Sequence, residues 1–164
     1  MKAKEEHKDF FDVLRYYCDM INNIHIKTYE FLSKLKASCN PVAFCEGGFG
    51  KLKPTDEIRP LVDRITFSYG FTALNELQQL DNGKSLYEMH NDPNAIAWRA
   101  EQFIANYVET KKQEREQGLV PYIAAIYATP AESLCGTQLE QFVQKYGVIP
   151  GVSDKAYFTN SFHM

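Results

Sequence analysis

Hydrophobic positions from about Lys4 to Ala37 recur at alternating steps of four and three, through Phe10, Leu14, Tyr17, Ile21, Ile24, Thr28, Phe31 and Leu35. That period lays one apolar stripe along a long helix, reinforced by Val13, Met20 and Leu32. A dimeric coiled coil wants a steadier Leu/Ile register than one containing Tyr and Thr, so residues 1–38 read as a scaffold helix packed on a larger body. His25 lies beside the stripe and reads as a packed or surface histidine. Asn40-Pro41 ends the helix, because the residue before proline avoids the α region. Gly47, Gly48 and Gly50 then open a loop followed by Lys51 and Lys53. It is either a plain connection or a pocket wall with cations for an anion, and it lacks the Gly-Lys-Ser/Thr ending of a P-loop.

Further on, Thr55 to Val62 reads as a short helix capped by Thr55 or Asp56, and Arg64 to Gly70 as a short strand, with helical continuation the alternative. Phe71 to Leu80 is helical and stops at Asp81-Asn82-Gly83; Asn75 and Glu76 sit adjacent in it, facing either a ligand or solvent. Lys84 to His90 looks like another short helix. Asp92-Pro93 opens a long one with the stripe Ile96, Ala100, Phe103, Ile104, Tyr107 and Val108, ending at Gly118. Val120 to Ala128 has the composition of a strand buried on both faces. Thr129 can cap a helix whose first residue is Pro130 and whose end is Gly147. Free N–H groups at such a start suit a phosphate or carboxylate, although an ordinary capped turn shows the same pattern. After Pro150-Gly151, Lys155 to Met164 alternates aromatic and polar residues as a strand. A strand ending at the last residue reads as a chain cut short.

Composition narrows the classes. At 164 residues the chain has one domain's length, with 45% hydrophobic and 24% charged residues. A net charge of −3 speaks against a basic nucleic-acid surface. Met1 to Asp9 is charged and polar and no apolar run of roughly 18 residues follows, so neither a signal peptide nor a membrane span is expected and the setting reads as cytoplasmic. Cys18, Cys39, Cys45 and Cys135 are scattered, with no pair of close pairs for zinc, so free thiols and no metal are expected.

Several stretches taken together resemble the anaerobic (class III) ribonucleoside-triphosphate reductases, a glycyl-radical enzyme family. They are Asn40-Pro41 with Gly47-Gly48-Phe49-Gly50 and Leu52-Lys53-Pro54; Tyr69-Gly70-Phe71-Thr72-Ala73-Leu74-Asn75-Glu76; Ala128-Thr129-Pro130-Ala131-Glu132-Ser133-Leu134; and Tyr146-Gly147-Val148-Ile149-Pro150-Gly151-Val152-Ser153-Asp154 running into Tyr157-Phe158-Thr159-Asn160-Ser161-Phe162-His163. The resemblance implies a helix-rich α/β fold, with residues 39–164 a segment from the second half of a ten-stranded α/β barrel. It implies an oxidoreductase that reduces ribonucleoside triphosphates at the ribose 2′ carbon, a homodimer in its parent form. Its glycyl radical would come from an S-adenosylmethionine/iron-sulfur activase. That glycine, the thiyl cysteine and a four-cysteine zinc site would lie outside these residues, leaving the isolated chain inactive. What remains is substrate-phosphate binding at Thr129, Ala131, Glu132, Ser133 and Leu134, with Asn75, Asn160 and His163 lining the same cavity. Cys45 and Cys135 read as inert thiols. Two other readings are a glycyl-radical relative of the pyruvate formate-lyase type and a non-catalytic helical interaction module.

Overall fold

The computed structural model describes residues 1–129 and 131–160, and of Glu132 the backbone alone. In chain order it holds α1 (Lys2–Glu6), α2 (Phe10–Ser33), a 3-10 turn (Ala37–Cys39), α3 (Pro41–Phe44), α4 (Arg59–Val62), β1 (Thr66–Phe71), α5 (Leu74–Asn82), α6 (Ile96–Glu116), β2 (Ile123–Ala128) and α7 (Glu132–Tyr146). The architecture is helix-rich α/β with a parallel pair, β1 beside β2. α5 and α6 supply the long crossover that parallel strands require. Contacts divide the chain into two compact units, Met1–Tyr69 with Asn106–Ala125, and Gly70–Ala105 with Ile126–Met164.

In the first unit the long N-terminal helix is broken where the periodicity runs on. His7 closes α1 in the left-handed region at φ 52, and Asp9 starts α2 afresh, its carboxylate accepting from the N–H groups of Phe11 and Asp12. The cap satisfies donors that a new helix would otherwise leave unpaired, which favours a restart there. Half of the expected stripe turns outward: Tyr17, Ile24, Thr28 and Phe31 are exposed, Phe31 to 65%, while Phe10, Leu14, Ile21 and Leu35 are half-buried. Cys18, Tyr29 and Ser33 form the buried line instead, with Asn22 and His25 half-buried between them.

Polar residues occupy that line because phenols meet them. The Tyr122 hydroxyl donates to Asn22 Oδ1 at 2.7 Å, so Tyr69 is the donor in the 2.7 Å bond joining the two tyrosines. Tyr107 donates to Asp19 at 2.6 Å, and Tyr29 to Asp63. His25 stands edge-on to Phe67, Tyr69 and Tyr122, with centroids 5.5, 5.0 and 5.3 Å away. Its Nε2 is buried without a partner, and burial lowers its pKa below the ordinary 6.5 despite a backbone bond at Ser68. Burial likewise pushes the Cys18 thiol up to about 11.

Several local expectations shift by a few residues for identifiable reasons. α4 starts at Arg59 with Ile58 in the cap position, because the Asp56 carboxylate is taken by the Lys53 N–H. Residues 84–90 form turns rather than a helix. Ser85 N–H donates to Glu88 Oε2 at 2.7 Å and Glu88 N–H donates back to Ser85 Oγ at 3.3 Å, so the pair closes on itself. α6 begins at Ile96 and not beside Pro93, since Asp92 binds the Asn94 N–H in a tight turn. Gly83 (φ 78) and Gly118 (φ 74) stop their helices in the left-handed region, as the sequence implies.

Two outcomes follow for the first unit. Tyr122→Phe leaves Asn22 and Tyr69 each short of a partner and should cost about 1–3 kcal/mol in urea unfolding. Because the folded-state pKa of His25 is depressed, the unfolded chain takes up the proton first. Stability should therefore fall as pH drops below 6.5, with the penalty complete below the folded-state pKa. His25→Phe should remove that part of the acid sensitivity, read from urea midpoints between neutral and mildly acidic pH.

Candidate functional site

The second unit gathers three stretches that are far apart in sequence. β2 leads into Thr129, one residue past the strand, whose N–H donates to the Phe71 carbonyl at 3.2 Å and keeps it against β1. The helix that follows starts at Glu132, with Ala131 in the cap position and no side-chain cap. This corrects the expected start, in which Thr129 caps and Pro130 leads; Pro130 lies outside the described residues. The Thr129 side chain lies instead against β1: a Cβ placed on Gly70 would come within 2.4 Å of its Oγ1. Gly70 is thus a packing necessity of the turn, and its signal in the sequence was a glycine inside a strand.

α7 then packs its first two turns on the other stretches. Cys135, Leu139 and Phe158 form a buried cluster, with Ala73, Phe142 and Val143 against it. Phe158 N–H donates to the Cys135 carbonyl at 3.4 Å, and the Thr72 hydroxyl to Gln138 Oε1 at 3.4 Å. Cys135 is therefore a fully buried packing thiol.

Glu76 makes the tightest polar connection. It is 2% exposed, and its carboxylate accepts from Lys155 Nζ at 2.7 Å, Thr159 Oγ1 at 2.6 Å and Thr159 N–H at 3.1 Å. Thr159 returns its carbonyl to the Ala73 N–H at 2.7 Å. With Thr159 committed in this way, residues 155–160 form an irregular segment and not the expected strand. Ala73, which precedes α5, is held at φ 63, a region alanine seldom adopts. A hollow of about 330 Å³ runs along Lys155, Ala156, Tyr157 and Thr159.

The sequence-predicted residues distribute as follows. Thr129 and Ala131 are half-buried at the turn, and Ser133 and Leu134 are exposed on the first turn of α7. A helix leaves its first N–H groups without intrahelical acceptors, and Ser133 and Leu134 carry such groups at the positive end of the α7 dipole. Asn75 is engaged at both ends of its amide, accepting from Leu86 N–H at 2.8 Å and donating to Gln79 at 3.3 Å. Asn160 is buried to 1%. His163, Ser161 and the Glu132 side chain lie outside the described residues. Glu76 and Lys155 are the residues that sequence reasoning undervalued, since an acid on a helix and a lysine 79 positions later carry no local signal of pairing. None of the four cysteines is in a disulfide, and among the described residues no group of three or more His, Cys, Asp or Glu is placed to hold a metal ion. No helix among them is long and apolar enough to cross a membrane.

Gly70→Ala should destabilise the protein by about 1–3 kcal/mol through overpacking against Thr129. Thr129→Ala in the same chain should recover most of that loss. A double-mutant cycle from urea unfolding reads the coupling, and purely additive values would contradict the contact.

A family model for anaerobic ribonucleoside-triphosphate reductase matches residues 1–164. The anaerobic ribonucleoside-triphosphate reductases of Salmonella typhimurium and Escherichia coli are 28% and 27% identical to the chain over its whole length, which is 23% of each relative. The enzyme of that name from Enterobacteria phage T4 is 31% identical over 81% of the chain and 20% of its own length. The chain thus spans about a quarter of the curated relatives it matches.

Proposed function

The chain belongs to the anaerobic ribonucleoside-triphosphate reductase family, and on that premise we propose that it supplies part of the wall holding the phosphates of a ribonucleoside triphosphate. The observation that carries this reading is the convergence, within one unit, of the β2–α7 turn, the start of α5 and the 155–160 segment. The N–H groups of Ser133 and Leu134 and the Ser133 hydroxyl bind phosphate oxygens, aided by the α7 dipole. Gly70 lets Thr129 approach β1, which fixes the strand end from which the turn departs. Glu76 holds Thr159, and with it Asn160 and the far wall of the site.

The full reaction, radical reduction at the ribose 2′ carbon to a deoxyribonucleotide, draws on polypeptide beyond these residues. We assign the thiyl cysteine, the radical glycine made by an S-adenosylmethionine/iron-sulfur activase, and the zinc cysteines to that remainder. The two strands here take places in its α/β barrel, in a cytoplasmic, homodimeric enzyme. The 164 residues alone are therefore inactive.

NMR titration tests the phosphate site. Cytidine triphosphate and inorganic triphosphate should both shift the amide signals of Ala131 to Leu134, with dissociation constants on the order of 1 mM. Cytidine itself should not shift them. Ser133→Asp, which sets a like charge at the helix start, should weaken binding about tenfold. Absence of shifts at millimolar ligand, or shifts confined to other residues, would remove the proposal.

A further inference from the structure

The first unit carries a surface that the phosphate turn leaves unused. Beside α2 and α4 lies an open groove of about 390 Å³, walled by Leu32, Phe44, Phe49, Leu61 and Ile65, with Arg64 as its charged residue. The glycine-rich loop builds one rim. A Cβ on Gly48 would lie 3.1 Å from Ala43 Cα, and the Phe49 N–H donates to the Ala43 carbonyl at 2.6 Å, so the loop folds back on α3. Gly50 approaches α4 so closely that its Cβ would meet the Leu61 methyls at 3.1 Å. These contacts set Phe49 beside the groove while leaving it 79% exposed, and Ile65 is 46% exposed. Arg64 is exposed and has no hydrogen-bond or ion-pair partner for its guanidinium among the described residues.

An enclosed pocket would suit a small ligand, but this groove is open and two of its own walls, Phe49 and Ile65, are exposed large apolar side chains, as where a larger partner docks. A lone guanidinium at the rim favours a carboxylate, which its planar fork binds with two parallel hydrogen bonds. The chain spans only 23% of its Salmonella typhimurium and Escherichia coli relatives, so a family polypeptide brings much more chain than is present here. We propose that the groove docks a segment of the reductase polypeptide from outside residues 1–164, which inserts a bulky apolar side chain beside Leu61 and sets an Asp or Glu carboxylate on Arg64. The inference rests on family membership and is independent of the phosphate reading.

The test uses the 164-residue chain against overlapping peptides of roughly 15 residues, long enough for a helix or strand to fill a groove. They cover the Salmonella typhimurium relative outside its aligned quarter. At least one peptide bearing a bulky apolar residue near an Asp or Glu should bind and shift the amide signals of Phe49, Leu61, Arg64 and Ile65. Arg64→Gln and Ile65→Asp, both at exposed positions, should each weaken that peptide about tenfold, while Arg59→Gln leaves it unchanged. Exchanging the peptide's acid for Lys should abolish binding. The proposal is overturned if no peptide binds at millimolar concentration, if binding ignores Arg64→Gln, or if the shifts lie away from the groove. Binding of decanoate with no peptide bound would assign the groove to a small amphipathic anion instead, and would equally overturn it. None of these outcomes touches the nucleotide titration.

Discussion

The buried carboxylate of Glu76 is the constraint on which the second unit turns. A charge that is 2% exposed is tolerable only when its lone pairs are filled, and here Lys155 and both donors of Thr159 fill them. Those bonds join α5 to a segment 83 residues later. They also explain why Ala73 persists at φ 63: its N–H is held by the Thr159 carbonyl, and its methyl packs on the cluster of Cys135, Leu139 and Phe158. The surroundings over-determine that backbone and so maintain its strain. The start of α7 inherits a fixed floor from the same contacts.

The first unit solves its packing problem differently. Its inner helix face is joined by hydroxyls, Tyr122 to Asn22 and Tyr107 to Asp19, around a histidine clasped by three aromatic rings. Such a face specifies one register, because each phenol must find its own acceptor. It also accounts for the mismatch between hydropathy and burial in α2. A period count scores Tyr17, Ile24 and Phe31 as core and leaves Asn22 off the stripe, whereas hydrogen bonding reverses part of that order.

Much of the architecture was nonetheless legible from local rules. Gly83 and Gly118 marked helix ends because their positive φ costs them nothing. The apolar run before Thr129 read as a strand buried on both faces; the strand is there, but its ladder covers only Ile123–Ala128, and of these Ala124 alone is buried while Tyr127 is exposed. What failed did so where a polar side chain found a nearer bond than the motif assigned to it, as with Asp56, Asp92 and the Ser85–Glu88 pair. The family was legible because four motifs occur in order, a signal that belongs to the whole chain and to no single element. At the candidate site the turn itself was visible, while Gly70 and Glu76 gained meaning only from partners dozens of positions away.

The parallel pair has a consequence for how the protein behaves in solution. Among the described residues the sheet has two strands and so an outer edge on either side, and a sheet that small is marginal unless other layers support it. Edge backbone groups are ready acceptors and donors for any further extended segment. In a closed barrel, neighbouring strands would meet them. Where such an edge is uncovered, pairing with a second copy of the same chain would grow with concentration, and the completeness of the sheet would become a matter of how crowded the chain is.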